Sequence, residues 1–568
     1  MIAWRHGLIV VLLFSAVGAL CARVVYLGVT ERDFLKGQGD ARSVRTEVIP
    51  AMRGVIADRH GEPLAISTPV YAVWTDPSAA RFSAAELADL AGYLEVSADT
   101  LRTRLERFAD KEFVYLKRRL SFADAERLMA ARLRHVHLQP EYRRYYPGAE
   151  TTAHVVGLTD LDDRGIEGIE YAFDEALTGR VGRKVVLKDL RGNTIRDLEY
   201  MGAPVYGTDL RLSVDLSVQF TAYRELKSAF SSHNAQGGSV VILDVRTGEV
   251  LALVNQPSYN PNDIGETPHG MRNRAVTDAY EPGSTIKPFT ALAALESGHF
   301  EARTPIDTHP GFFHIGAKLV QDPVDRGVVT LTTALQKSSQ VAFAKLALAL
   351  PDEAVYDVLA RAGLGRYVGT GLPGEVQGYL DSAQLRYPVV RAALAYGYGL
   401  SVTPLQLASA YLTLGAHGVR RPLTIVRGGN AGVAGERVFD RDLAREVVRM
   451  METVTEAEGT APGASVTAYR VAGKTGTARM VGRDGYDDER HAAWFAGLAP
   501  VSDPRIVVVV LVNEPGAGMT GGGAVAAPIF SRIVTRVLPL LGVVPDKPLV
   551  ADARNVGWPE SAGGGDGF

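Results

Sequence analysis

The sequence predicts an α+β protein with an N-terminal membrane helix, a mixed α/β module, and a larger domain whose largely antiparallel sheet is flanked by helices. Three observations carry this. An apolar run from Gly7 to Val29 predicts the membrane helix. Short strand, turn and helix signals alternate from residue 30 to about 206. Beyond that, apolar strand patterns stand at both ends of a long stretch with helical patterns between them, which points to strands gathered into one sheet rather than alternating βα units.

Bulk composition sets outer limits. The 568 residues exceed one ordinary core and correspond to roughly three or four domains' worth of chain. Hydrophobic residues make up 46% and charged residues 22%, as in folded proteins, and a net charge of −3 gives no electrostatic reason to expect nucleic acid. None of the 12 histidines lies in an H-E-x-x-H pattern and no zinc-type Cys/His spacing occurs, so no metal is expected. The single cysteine, Cys21, cannot form an internal disulfide.

The first element, residues 1–29, comprises a short stub and the apolar run "GLIVVLLFSAVGALCA", broken by Arg23 and resumed by "VVYLGV". Arg23 lies near the far end, where it can snorkel to headgroups, and Arg5 favours a cytoplasmic N-terminus. A cleaved signal peptide with small residues at Val17 and Ala19 is the rival; apolar residues continue past that point, so an uncleaved anchor is expected. Bulky Leu20 disfavours lipid modification of Cys21. With no second span expected, most of the chain lies outside the cytoplasm.

In residues 30–206, "RGVIADRHGEPLA" (53–65) reads as strand, turn and strand with His60-Gly61 at the tip. "SAAELADLAGYL" opens with a capping box, Ser83 to Glu86, and sets Leu87, Leu90, Ala91 and Leu94 on one helical face. Ser121 and Asp124 start a similar helix. "YYPGAETTAHVVG" is turn-rich, and "GRVGRKVVLKDLRGNTI" reads as a hairpin. The basic run "RLERFADKEFVYLKRRL" (104–120) is expected to be a solvated helical face.

From about Thr208 the texture changes. "GGSVVILDVRTGEVLALV" is two apolar strands around a Thr247-Gly248 turn. Further strands are expected at "YRVAGKTGTARMV", "HAAWFAGLAP" and "RIVVVVLVNEP", and helices at "TTALQKSSQVAFAKLALAL" and "TPLQLASAYLTLGAHG". The domain is assigned 207–545, and 546–568, ending "NVGWPESAGGGDGF", is expected to be a disordered tail. "TGGGAVAAPIF" reads as a flexible rim beside a cleft.

The stretch "EPGSTIKPFT" carries the first chemical signal. Pro288 is compatible with a helix only if that helix starts near Ser284, because a proline nitrogen donates no hydrogen bond. Ser284 then sits in a first turn, whose backbone N–H groups are free to stabilise an oxyanion. Lys287, one turn on, projects from the same face and can reach the Ser284 hydroxyl. A serine needs a base to become a nucleophile, and a lysine serves if desolvation lowers its pKa.

An S-x-x-K spacing occurs by chance roughly once in a chain of this length, so alone it is weak. "QKSSQ" adds Ser338 and the amide of Gln340. "GKTGT" adds Lys474, Thr475, Gly476 and Thr477 in a strand context, where a cation and hydroxyls can hold a carboxylate and Gly476 permits close backbone approach. The Thr477 N–H can pair with that of Ser284 as a two-donor oxyanion hole. The three motifs occur in the order known for serine β-lactamases and penicillin-binding proteins. A nucleotide-binding reading of "GKT" fails, since Ala468 stands where a Walker loop needs glycine.

With these motifs, and with "RGVIADRHGEPLA", "HVVGLTDLDDRGIEGIEYAFDEALTG", "PSYNPN", "MRNRAVTDAYEPGSTIKPF", "YGYGLSVTPLQLASAY" and "GGGAVAAPIF" in order, the chain resembles the class B penicillin-binding proteins, most closely the septal D,D-transpeptidases. The resemblance implies that residues 30–206 form an elongated, non-catalytic pedestal of the dimerisation type and 207–545 the transpeptidase domain. It implies Ser284 as the acylated nucleophile, Lys287 as its base and Ser338 as a proton relay to the leaving amine. Lys474, Thr475 and Thr477 would hold the terminal carboxylate of a D-Ala-D-Ala stem peptide, with Gln340 and Gly476 also at the substrate. An amine of a neighbouring stem peptide is the acceptor, β-lactams are substrate mimics, and no cofactor is implied. It further implies location at the division septum, in the bacterial inner membrane, beside a lipid-linked-glycan polymerase and other division proteins.

One residue departs from the family pattern. The second motif is normally S-x-N and here ends in Gln340, one methylene longer, which must fold back or shift its helix to reach the same partners. Retuned substrate contact is the favoured reading and weakened catalysis the alternative. A membrane-anchored β-lactam sensor, and a carboxypeptidase or β-lactamase using water as acceptor, are the rival functions.

Overall fold

The computed structural model describes residues 2–189, 194–265, 270–482, 485–516, 518 and 521–548. The N-terminal run forms the helix Ile2–Val25, one wide turn at Tyr26–Thr30 and a second helix, Arg32–Ser43. From Trp4 to Thr30 it is long and apolar enough to cross a membrane, and none of it is buried against protein. Gly522–Leu540 meets the same criterion of length and apolarity, but half of it is buried and it belongs to a protein core.

By contacts the chain divides into two compact units. The first comprises Met1–Gly54, Ile66–Tyr145 and Glu175–Thr208. Its core collects Val73, Leu90, Leu94, Leu101, Leu116 and Leu128 between three helices and antiparallel strands. The helix Ala84–Leu94 starts at the expected capping box: Ser83 accepts from the Glu86 N–H while the Glu86 carboxylate accepts from the Ser83 N–H. That arrangement satisfies two otherwise orphaned donors. Leu87, Leu90, Ala91 and Leu94 are its buried face. Ser121 caps Phe122–Ala130 by accepting from the Asp124 N–H, without the reciprocal bond of a capping box.

The basic run 104–120 is a correction. Only its start lies in a helix, Ala98–Arg107, and the rest forms the strand Val114–Leu120, paired with Pro63–Thr75. Leu116 and Leu120 are buried there and Arg118, between them, bonds Glu141; Arg119 at φ 60° and shifts in the register against Tyr71–Trp74 make this an irregular strand without a clean two-residue alternation. The expected hairpin is present as Gly182–Lys188 against Thr194–Gly202, extended by Val44–Ile49. Its tip, 190–193, lies outside the described residues.

The second unit comprises Val55–Ala65, Tyr146–Asp174 and Asp209–Phe568. The turn at His60-Gly61 is closed by Asp58, whose Oδ1 accepts from the His60 and Glu62 N–H groups at 2.7 and 2.9 Å, with Gly61 at φ 98°. At the centre is a five-stranded antiparallel sheet in the order Val250–Gln256, Gly237–Asp244, Ile506–Asn513, Gly485–Ala499, Ala472–Gly482. Every residue of the first three strands is buried, which explains their unbroken apolar sequence. One face packs on Leu216–Ser232 and Gly522–Leu540, with Phe495 against Phe530. Helix Pro404–Gly415 covers the other. Ala472–Gly482, which holds the Lys-Thr-Gly motif, is left at the edge of the sheet. The tail expected over 546–568 lies, from 549 onward, outside the described residues.

Candidate active site

The turn bearing Ser284 is held on all sides. Tyr280 exchanges backbone hydrogen bonds with Val402, and the Gly283 N–H donates to the Gly397 carbonyl at 3.1 Å. Gly283 adopts φ 53°, a left-handed conformation that glycine takes without penalty. The chain then makes a short 3-10 turn, Gly283–Ile286, and continues as the helix Lys287–Glu296. Pro288 thus falls in the first helical turn, where its missing N–H costs nothing. Thr285 Oγ1 donates to the Pro282 carbonyl, and the buried Tyr411 hydroxyl donates to the Thr285 carbonyl at 2.7 Å.

Lys287 is fully buried. Its Nζ donates to the Ser338 carbonyl at 2.6 Å and to Ser338 Oγ at 3.1 Å, and lies 5.6 Å from the centre of the Phe343 ring. The expected amine partner was the Ser284 hydroxyl; in the structure the amine is bonded across the cleft to the second motif instead. The Ser338 carbonyl and hydroxyl together supply two acceptors to the desolvated amine. Burial pushes the Lys287 amine down to about 7, with the negative Asp322 opposing the shift.

Ser338 sits between two helices, Leu331–Gln336 and Gln340–Ala349, at φ 57°. A non-glycine residue in this region carries strain of about 1–3 kcal/mol and persists only where its surroundings fix it. Here the fixing group is Asp322, which no sequence reasoning singled out. Its carboxylate accepts from Ser339 Oγ and from the N–H groups of Gln340 and Val341, capping the second helix from a separate hairpin. Gln340 is the first residue of that helix and is half-buried.

Lys474, also fully buried, donates to the same Ser338 Oγ at 3.0 Å, and to the Thr475 carbonyl and hydroxyl at 3.2 and 3.3 Å. Burial, reinforced by the charge of Lys287, holds its amine well below the ordinary lysine value. Thr475 shares a hydrogen bond with Thr460 at 3.1 Å, and the Thr477 hydroxyl accepts from the Gly522 N–H at 3.1 Å. The edge strand approaches the Ser284 turn very closely. A Cβ on Gly476 would stand 2.6 Å from the Pro282 carbonyl oxygen, and one on Gly283 would meet the O, C and N of Thr477 at 3.3–3.6 Å. Thus Lys287, Ser338 and Lys474 share one hydrogen-bonded cluster, and the Thr477 peptide faces the turn that carries Ser284.

Asp322, Thr460, Gly397 and Tyr411 escaped the sequence reading. A helix-capping aspartate borrowed from a distant hairpin has no local pattern; Gly397 alone had a signal, in the glycine-rich "YGYG".

The Penicillin binding protein transpeptidase domain family matches residues 238–535, and the Penicillin-binding Protein dimerisation domain family matches 48–212. Over 557 residues the chain is 42% identical to the Peptidoglycan D,D-transpeptidase FtsI of Escherichia coli K12, covering 97% of this chain and 94% of that protein. It is 40% identical to the Probable peptidoglycan D,D-transpeptidase PenA of Neisseria gonorrhoeae, covering 94% and 92%. Among solved structures, penicillin binding protein 3 of Mycobacterium tuberculosis, complexed with aztreonam, superposes with a TM-score of 0.67 at 28% identity, covering 89% of this chain and 99% of that one. The transpeptidase domain of Burkholderia pseudomallei penicillin-binding protein 3 does so with a TM-score of 0.54 at 39% identity, covering 59% and 98%. An edge strand bearing Lys-Thr-Gly, packed against a Ser-x-x-Lys turn within matches that run almost end to end, decides the matter: the chain belongs to the class B penicillin-binding proteins.

Proposed function

We propose that this protein crosslinks peptidoglycan stem peptides at the division septum by acyl transfer through Ser284. The carrying observation is the single hydroxyl, Ser338 Oγ, to which two buried lysines donate: Lys287, one turn from the nucleophile, and Lys474 of the edge strand. Residues 207–545 act as the transpeptidase domain and 30–206 as a non-catalytic domain, and the N-terminal helix anchors the bulk of the chain outside the cytoplasm. Assembly with a lipid-linked-glycan polymerase belongs to the same reading.

Ser284 Oγ attacks the carbonyl between the two terminal D-alanines, and Lys287 takes its proton. An amine lowered to about 7 has a substantial neutral fraction near neutral pH and is still basic enough for this, the match that general-base catalysis needs. The backbone N–H groups of Ser284 and Thr477 receive the developing oxyanion. Ser338, bonded to both amines, passes a proton to the departing D-alanine. Lys474 with Thr475 and Thr477 holds the substrate carboxylate, whose charge restores the protonated state of Lys474 that burial opposes. Gln340 and Gly476 border the bound peptide. In the second half an amine of another stem peptide attacks the ester, a C–N bond replaces C–Oγ, and the proton returns to Ser284. β-Lactams acylate the same serine.

The test supplies a D-Ala-D-Ala-type thiolester donor with and without an amine acceptor. Amide product that grows with acceptor concentration, together with slow release of a bound penicillin, supports the transpeptidase. Rapid turnover of the penicillin by water overturns it in favour of a β-lactamase.

A further inference from the structure

Glu281 lies three residues before Ser284, on the same turn, and no role in acylation uses it. One carboxylate oxygen, Oε1, accepts from the Gly399 N–H at 2.8 Å and from the Tyr486 hydroxyl at 3.0 Å. The other, Oε2, is buried and has no hydrogen-bond partner among the described residues. A carboxylate oxygen removed from water without a donor costs free energy that a native structure recovers from something. Among the described residues no cation contributes to its titration: burial raises the carboxyl, and the Gly399 and Tyr486 donors only partly offset this.

The surroundings suit a cation. Tyr398 and Tyr486 meet edge to face with ring centres 5.7 Å apart beside the carboxylate, and aromatic faces attract an ammonium group. Tyr486 is 49% exposed, so bulk solvent stands one side chain away. It pairs with Val481, four residues beyond Thr477 on the strand that forms one wall of the site. At about 3.3 Å per residue this places it roughly 13 Å along the strand from Thr477, within the span of a short peptide.

We propose that Glu281 is the anionic end of an ammonium-binding subsite, taking a free amine of a stem peptide through its unpartnered Oε2. This deepens the transpeptidase reading and rests on it. A crosslinking reaction offers two such amines, a side-chain amine of the donor peptide and the amine of the acceptor, which docks as an ammonium and must give up its proton and leave the carboxylate before it attacks the ester. Both present the same chemistry, and the experiment separates them.

The full-length protein and Glu281→Gln are acylated by two thiolester donors, one with a free side-chain amine and one with that amine acetylated. Partition of the acyl-enzyme is then measured against increasing acceptor amine. A charged hydrogen bond of the usual strength corresponds to about tenfold or more. If the donor amine is bound, wild type prefers the free-amine donor about tenfold and Glu281→Gln loses that preference, the acetylated donor changing less than about threefold. If the acceptor is bound, the preference is unchanged and the acceptor concentration for half-maximal transfer rises about tenfold in the variant. Equal loss with both donors and an unchanged acceptor requirement, or no change anywhere, overturns the proposal; the first of these marks Glu281 as a support of the turn. Absence of any Ser284 acylation in wild type sinks the transpeptidase reading itself. Glu281→Asp, which keeps the charge, should recover part of whichever preference is lost.

Discussion

Lys287 and Lys474 direct their amines at one atom, Ser338 Oγ, from 3.1 and 3.0 Å. Both side chains are fully buried and both titrate below the ordinary lysine range. Two cations facing one hydroxyl away from water repel each other, so the cluster is stable only when it carries less than its full charge. The site therefore contains a base before any substrate arrives.

The pH profile should show this. Acylation of Ser284 by a penicillin is predicted to rise about tenfold per pH unit below about 7 and to level off above it, as Lys287 loses its proton. Stability should follow the same sign. Between about 7 and the ordinary lysine value of 10.5, the unfolded chain binds more protons than the folded one, so stability increases with pH through that window. An acid limb centred near 10 would contradict the assignment of Lys287 as the base.

Asp322 links structure to titration. Its charge raises the Lys287 pKa while its oxygens cap the helix beginning at Gln340. Asp322→Asn should lower stability by about 1 kcal/mol, the usual worth of a helix cap. It should also move the acid limb of acylation to lower pH, because Lys287 loses an opposing charge. Thermal melts and a pH–rate series read the two effects separately, and an upward shift of the limb would refute the electrostatic argument.

Ser338 carries strain and a hydroxyl at one position. Ser338→Gly and Ser338→Ala both remove the hydroxyl, but only glycine relieves φ 57°. The glycine variant should be more stable than the alanine variant by about 1 kcal/mol, with both acylating at least about a hundredfold more slowly than wild type. Equal stabilities would show that the left-handed backbone is not a cost.

Gly476→Ala should fail by overpacking. Its Cβ would stand 2.6 Å from a backbone oxygen, Pro282 O, which has no side-chain freedom to yield. A loss of about 1–3 kcal/mol is expected, with the edge strand pushed away from the Ser284 turn and acylation slowed. Denaturant unfolding and penicillin labelling of the soluble variant test both parts.

Gln340 can be tested by shortening it. Gln340→Asn restores the usual S-x-N pattern, and a modest change in acylation is expected if the glutamine retunes substrate contact. A large gain would instead mark the natural protein as impaired.

Local signals proved readable where the physics is local. The Ser83–Glu86 capping box, the buried face of its helix and the Asp58-closed turn at Gly61 each depend on a few neighbouring residues. The continuous apolar strands were equally plain, because burial on both faces leaves no polar positions. The basic run 104–120 misled because charge density reports solvation and says nothing of period. At the site, the motif spacing points to a Lys287 able to reach Ser284, and the structure adds the bonds from Lys287 to Ser338. Helical spacing constrains Ser284 and Lys287 to one face, but it carries no information about the carbonyl of Ser338 arriving from 51 positions away. Asp322 was invisible for the same reason.

The central claim is tested most directly by mass spectrometry of the protein after incubation with a penicillin. The account predicts one adduct per chain, mapped to the peptide containing Ser284 and absent from Ser284→Ala. An adduct on any other residue, or one that survives in Ser284→Ala, would contradict it.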